Sequence, residues 1–158
     1  MPSITPSLWF DDDLEEAMRF YAAIFPNSAI EQVSRYTDAG PGTPGQVASA
    51  SFVLDGNRFT GINGGPLFPF TEAISFLIEC ADQDEVDHYW YALVDGGQES
   101  QCGWLKDRFG VSWQIVPRRL IELQMLGGPG VGRMMHKMMT MRKLDIASLE
   151  AAFEGEAA

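Results

Sequence analysis

Hydrophobic and polar positions alternate along this chain in two periods, and the switches between those periods mark its elements. Ile4 to Phe10 alternates at period two, with Pro6, Leu8 and Phe10 on one face and Thr5, Ser7 and Trp9 on the other, which predicts a strand. Leu14, Ala17, Met18, Tyr21, Ile24 and Phe25 then recur at helical spacing. Asp12 with Glu15 predicts a capping box for that helix, in an acidic run suited to the positive end of its dipole. Strands are predicted over Ile30 to Tyr36 and Val47 to Leu54, on either side of a Gly/Pro-rich loop. Asp55-Gly56-Asn57 predicts a hairpin into a strand from Arg58 to Asn63, and Gly64-Gly65-Pro66 opens a linker through Thr71.

The second half repeats the first. Ala73 to Cys80 reads as a strand with Ile74, Phe76, Ile78 and Cys80 on one face. Asp82 with Glu85 starts a helix whose apolar face is Val86, Tyr89, Trp90, Leu93 and Val94. Gln98 to Leu105 and Val111 to Val116 are further strands. A shift of 70 residues places Asp12 on Asp82, Leu8 on Ile78, Thr5 on Ser75, and Phe20-Tyr21-Ala22 on Trp90-Tyr91-Ala92. An internal repeat of this kind is one supersecondary unit used twice. The prediction is an α+β fold of tandem βαβββ units, about 3–63 and 73–116, within a single domain spanning 1–158.

After Pro117 the period is helical. Arg118 to Leu126 predicts a short helix, Gly127-Gly128-Pro129-Gly130 a break, and Val131 to Leu144 a Met-rich helix. A last helix begins at Asp145 as N-cap, with Leu144 and Leu149 as a hydrophobic staple; the extension runs over 118–154, and Gly155 to Ala158 form a tail. Met134, Met135, Met138, Met139 and Met141 nearly encircle their helix, so it needs cover on several sides, which predicts a homodimer contact there.

Composition narrows the function classes. Eleven Lys+Arg against 22 Asp+Glu give a net charge of −11, which argues against nucleic acid and anionic membranes as partners. No run of about 18 apolar residues predicts a transmembrane helix, and the N-terminus carries no signal-peptide pattern, so the expected compartment is the cytoplasm. Two cysteines, Cys80 and Cys102, do not make a disulfide framework.

The stretch Cys102-Gly103-Trp104-Leu105-Lys106-Asp107-Arg108-Phe109-Gly110-Val111-Ser112-Trp113-Gln114-Ile115-Val116-Pro117, following a tandem βαβββ pattern, carries a resemblance. With Phe10-Asp11-Asp12, Asn63-Gly64-Gly65-Pro66, Ala73-Ile74-Ser75-Phe76 and Lys143-Leu144-Asp145-Ile146, it resembles the vicinal oxygen chelate superfamily of glyoxalase I, bleomycin-resistance proteins and extradiol dioxygenases. Within it, the chain is similar to the PhnB-like branch often labelled 3-demethylubiquinone-9 3-methyltransferase. The resemblance implies that each unit curls into a cupped half-barrel with helices outside and a ligand site inside. It also implies metal-ligand positions at Thr5, Ser75, Gln114 and either Thr60 or Gly61. Hydroxyls and one amide are poor ligands for Zn²⁺ or Ni²⁺, so no metal and no cofactor is expected.

Strand alternation puts Thr5, Ser7, Trp9, Ser75, Leu77, Ser112 and Gln114 on the inner face, with Leu8, Phe10, Ile74, Phe76, Ile78, Val111, Trp113 and Ile115 under the helices. Gln114, Trp9, Thr5, Ser75, Asn63 and Trp104 are therefore the candidate ligand-binding residues, with Gln114, Trp9 and Thr5 expected in one cavity. Four of them have a plainer role open: a structural amide for Gln114, a turn for Asn63, core or dimer packing for Trp9 and Trp104. No catalytic residue is assigned; Cys102 lacks a neighbouring base, and Glu79 is the one carboxylate placed on that face. The glycine clusters at 64–65 and 127–132 do not sit between a strand and a helix, so the methyltransferase label finds no cofactor motif. The expected function is metal-independent binding of a small, partly apolar molecule. The alternatives are a metal-dependent lyase or dioxygenase, or a ligand-sequestering resistance-type protein.

Overall fold

A computed structural model describes residues 1–156; Ala157 and Ala158, the end of the tail, lie outside the described residues. The chain forms two compact units, Met1–Phe70 and Thr71–Ala158. The first contains β1 (Ser7–Phe10), α1 (Leu14–Ile24), β2 (Ala29–Arg35), β3 (Val47–Leu54) and β4 (Asn57–Asn63). The second contains β5 (Phe76–Cys80), α2 (Gln83–Val94), β6 (Gln98–Glu99), β7 (Trp104–Lys106) and β8 (Ser112–Pro117), then α3 (Arg118–Leu126), α4 (Pro129–Met138) and α5 (Ile146–Glu154).

Each unit builds one open four-stranded sheet, ordered β1-β4-β3-β2 and β5-β8-β7-β6. In both, the first strand pairs in parallel with the last and the remaining pairs are antiparallel. The architecture is α+β, two βαβββ units in tandem. The pairing also fixes the uncertain hairpin register. Ser7 pairs with Thr60 as Leu77 pairs with Gln114, so Thr60, not Gly61, is the first unit's counterpart of Gln114.

Each helix packs its apolar stripe on one face of its own sheet. Leu14, Ala17, Met18 and Tyr21 of α1 are buried, as are Val86, Trp90 and Leu93 of α2. The facing strands contribute Leu8, Phe10 and Phe52 in the first unit and Leu105, Trp113 and Ile115 in the second. Fully burying a side chain of this size contributes about 1.5–3 kcal/mol.

Several predicted boundaries move, each for a local reason. β1 starts at Ser7, not Ile4, which is exposed. β5 starts at Phe76, not Ala73; Ile74 is 61% exposed and does not pack beneath a helix. The strand predicted over Gln98 to Leu105 is two short strands, because Cys102 and Gly103 adopt positive φ (59° and 85°). Their backbone N–H groups donate to the carbonyls of Met141 and Arg142.

Asp12 does not cap α1. Asp13 holds the N-cap position without a side-chain cap bond. Burial, and secondarily the charges of Asp12, Glu16 and Asp11, hold its carboxyl above the usual range. The cap bond comes from β4: Asn63 Oδ1 accepts from Leu14 N at 3.0 Å. In the second unit Asp82 accepts from Glu85 N (2.9 Å), and Glu85 accepts in turn from Ala81 N (2.7 Å).

The C-terminal helices share one core, in which Val116, Leu120, Leu123, Met134, Leu144 and Leu149 are buried. Asp145 caps α5, accepting from Ser148 N at 2.8 Å, beside the buried Leu144 and Leu149. The Met-rich helix ends at Met138, short of the predicted Leu144. Met134, Met135, Met138 and Met141 pack within this core, whereas Met139 is 68% exposed. Self-packing on one side therefore accounts for four of the five methionines.

Candidate functional site

The sheet face away from α2 is built by strand alternation. Leu105, Trp113 and Ile115 turn inward under the helix, so Trp104, Lys106, Ser112 and Gln114 turn to the opposite face. Directly paired residues share a face, which puts Leu77, Gln114 and Trp104 in one cross-strand row. Lys106 and Ser112 form the next row.

The polar groups of this face are only partly paired. Gln114 Nε2 donates to Ser75 Oγ at 2.9 Å, while among the described residues its Oε1 has no partner. Three indole N–H groups are engaged: Trp9 with Gly65 O (2.9 Å), Trp90 with Glu99 (3.2 Å) and Trp113 with Asp107 (2.8 Å). Trp104 has no such bond among the described residues and is half-buried. Leu77 beside it is 51% exposed. The row thus offers an apolar surface flanked by one donor and one acceptor, the composition of a small-molecule contact surface.

The candidates of the first unit are placed differently. Asn63 is 4% exposed, and its amide is engaged on both sides: Oδ1 caps α1 and Nδ2 donates to Val47 O at 2.8 Å. Trp9 is half-buried with its N–H bonded, its ring edge-on to Phe68 at 4.9 Å. Gly64 lies against that ring, where a Cβ would come within 2.3 Å of it. Thr5 is half-buried ahead of β1.

Sequence reasoning missed the polar rows of the first sheet. Ser7–Thr60–Ser51–Gln32 and Trp9–Ile62–Ser49–Ser34 run across all four strands in register. They border an open cleft of ≈ 400 Å³ that Gln32, Ser34, Ser49, Ser51, Thr60 and Ile62 help to line. The signal was present as serines two apart in β3, matched in β2 by Gln32 and Ser34.

The remaining chemical candidates are occupied or shielded. Glu79 is held by Arg118 at 2.7 Å. Burial pushes the Cys80 thiol up to about 12, assisted by the charges of Glu85 and Asp82, so it stays protonated. Cys102 sits at the positive-φ turn, half-buried.

Residues 2–116 match the family described as 3-demethylubiquinone-9 3-methyltransferase. The chain belongs to this family. It is similar to the PhnB protein of Bacillus cereus, assigned to the same methyltransferases, at 36% identity over 73% of this chain and 99% of that one, with a TM-score of 0.69. Protein PA1353 from Pseudomonas aeruginosa is 20% identical over 74% of this chain and 98% of its own, TM-score 0.61. The fosfomycin resistance protein FosX of Listeria monocytogenes, solved with Mn(II) and sulfate, is 16% identical over 73% and 91%, TM-score 0.53. These last two speak for the vicinal oxygen chelate fold alone. No curated protein matches the chain.

Helices α3 to α5 lie beyond the residues that match this PhnB-like family. The residues at the positions that the resemblance relates to a metal do not suit one: Thr5 and Thr60 of the first unit are hydroxyls, Ser75 and Gln114 of the second are bonded to each other, and none of the four is an imidazole, thiolate or carboxylate. Among the described residues no group of three or more His, Cys, Asp or Glu could hold an ion.

Proposed function

We propose that this PhnB-like protein binds a small, partly apolar molecule on the open face of its second sheet, without a metal. Trp104 supplies the contact surface, Gln114 Oε1 an acceptor, and Ser75 a hydroxyl held in place by Gln114. The observation that carries the reading is the register pair Trp104–Gln114, in which the indole N–H and the amide oxygen both lack a partner among the described residues. A structural amide would have both ends engaged, as Asn63 does.

Methyl transfer, the activity in the family's description, is not part of this reading. Gly128 caps a helix that follows another helix, and Gly64-Gly65 leads from β4 into a loop packed on Trp9. Neither is a strand-to-helix glycine loop of the kind that holds a nucleotide-like cofactor. We take the protein to work in the cytoplasm as a homodimer. Ile30 and Val33 on the exposed edge strand β2, and Met139 on the extension, are apolar surface that a second copy would cover.

Two measurements test the reading. A fragment library of small aromatic and aliphatic molecules, followed by the indole N–H resonances, should move Trp104 and leave Trp90 and Trp113 in place. Gln114→Ala should weaken those hits by about 0.5–1.5 kcal/mol while changing fold stability little. A lowered melting temperature with unchanged fragment binding would make Gln114 a strand clamp instead. Elemental analysis of protein purified without a metal-affinity tag should find far less than one equivalent of transition metal. A stoichiometric ion held by Gln114 would overturn metal independence.

A further inference from the structure

Beside the Trp104–Gln114 row, the chain's own residues 72–75 are tied to the second sheet by two side-chain contacts. The Glu72 carboxylate is held by the Lys106 ammonium, and Ser75 Oγ accepts from Gln114. Lys106 and Ser112 are cross-strand partners on this face. Ser112 is 2% exposed, and its Oγ is the buried side-chain polar atom with no hydrogen-bond partner among the described residues. By register, a cation and an unpaired buried hydroxyl thus share one row of the sheet face, next to the row of Trp104 and Gln114, and a carboxylate of the chain itself already sits on the cation.

We propose that Lys106 and Ser112 form a carboxylate-binding subsite, which Glu72 occupies in the free protein, beside Gln114 and the Ser75 hydroxyl it holds. The inference rests on the second sheet being the ligand face and adds the class of ligand: a small molecule with one carboxylate and an apolar or aromatic body lying along Trp104 and Leu77. The incoming carboxylate takes the place of Glu72 on the ammonium and accepts from Ser112 Oγ. Glu72 is fit for displacement because its side chain is 60% exposed and that of Lys106 is 34% exposed, and exposed ion pairs hold weakly. Its carboxyl lies below the usual range, chiefly through the Lys106 contact, so it competes as an anion at neutral pH. The ligand's body replaces water on Trp104 and Leu77, which Glu72 cannot do.

Phenylacetate and its neutral analogue phenylacetamide, titrated into the full chain and followed by backbone and indole N–H resonances, test this. Phenylacetate should move the Trp104 indole, Ser112 and Gln114 signals and bind about tenfold more tightly than the amide. Lys106→Met should bring phenylacetate down to the affinity of the amide. Glu72→Gln should raise phenylacetate affinity several-fold by removing the competitor. Neither substituted side chain is buried, and unchanged resonances elsewhere confirm the fold. Equal binding of the two probes, in wild type and Lys106→Met alike, overturns the carboxylate subsite and leaves the ligand face standing. Unchanged or weaker binding in Glu72→Gln overturns its occupation by Glu72. If neither probe moves Trp104, the ligand face and the subsite both fall.

Discussion

The two βαβββ units share strand order and pairing sense but solve the contact between helix and last strand in opposite ways. In the first, the strand position facing the helix is Gly61, and Leu14 of α1 fills the space; a Cβ at Gly61 would lie 2.5 Å from Leu14 Cδ1. In the second, the equivalent strand position is Ile115, fully buried, and the helix position is Gln83. Relieved of core packing, Gln83 accepts from Ile146 N at 2.8 Å and donates to Leu144 O at 3.1 Å, fastening the C-terminal helices. Exchanging the apolar group between strand and helix keeps the core filled and gives the second unit an anchor for an extension the first unit lacks.

The same comparison shows an offset. The first strands correspond at a shift of 70, where Phe10 and Cys80 are both buried. The helices correspond at 69: Asp13 with Asp82 as N-caps, Ala17 with Val86, Tyr21 with Trp90. The second unit has one residue fewer between strand and helix. Tyr21 and Trp90 are each 1% exposed, whereas Tyr91 is 60% exposed with Lys143 above its ring. Tyr21→Ala and Trp90→Ala should therefore each cost about 3–5 kcal/mol in denaturant unfolding. Tyr91→Ala should cost about 1 kcal/mol or less, the worth of an exposed cation–π contact. A large loss at Tyr91 would restore a uniform shift of 70 and break the comparison.

The caps give the next largest contrast. Asn63→Ala removes the cap of α1 together with the buried bond to Val47 O, so roughly 2–3 kcal/mol is expected. Asp82→Ala removes an exposed local cap and should cost about 1 kcal/mol. Equal losses would mean that the two helices are held alike.

The smallest effect is electrostatic. Asp13 has its folded pKa raised, chiefly by burial, so its charge opposes folding at neutral pH, and the penalty fades as pH falls through that pKa. Asp87 and Asp145 are depressed, through Lys143 and Gln83 in one case and the Ser148 cap in the other. Their contribution is present above the unfolded carboxylate value, about 3.9, and is lost as pH falls through the lower folded values. Asp13→Asn should slightly raise the melting temperature at neutral pH and have no effect well into the acid range. Asp87→Asn should lower it at neutral pH. Reversed signs would show that burial does not dominate at Asp13.

What could be read in the sequence was what local rules decide. Asp82 and Asp145 cap their helices through residues three positions on, and the strand faces around Trp113 and Ile115 follow from alternation alone. The cap of α1 comes from Asn63, 49 residues from Leu14, so the nearby acidic run drew the prediction to Asp12. The helix offset was hidden because Phe20-Tyr21 matches Trp90-Tyr91 in residue type at a shift of 70; only burial separates the shifts. Gln114 and Ser75 were legible as inner-face residues, but their bond to each other was not, since Ser75 precedes β5 rather than lying within it. Lys106 is legible only as a member of the long motif, because strand parity alone does not show that Glu72 reaches it.

The ligand face itself is tested most directly by soaking crystals of the intact chain in a mixture of small aromatic carboxylates and amides and asking which sheet they occupy. Density is expected against Trp104 and Leu77 of the second sheet, with a polar atom of the ligand within hydrogen-bond distance of Gln114 Oε1 or Ser112 Oγ. Density confined to the serine rows of the first sheet, with the Trp104–Gln114 row bare, would contradict it.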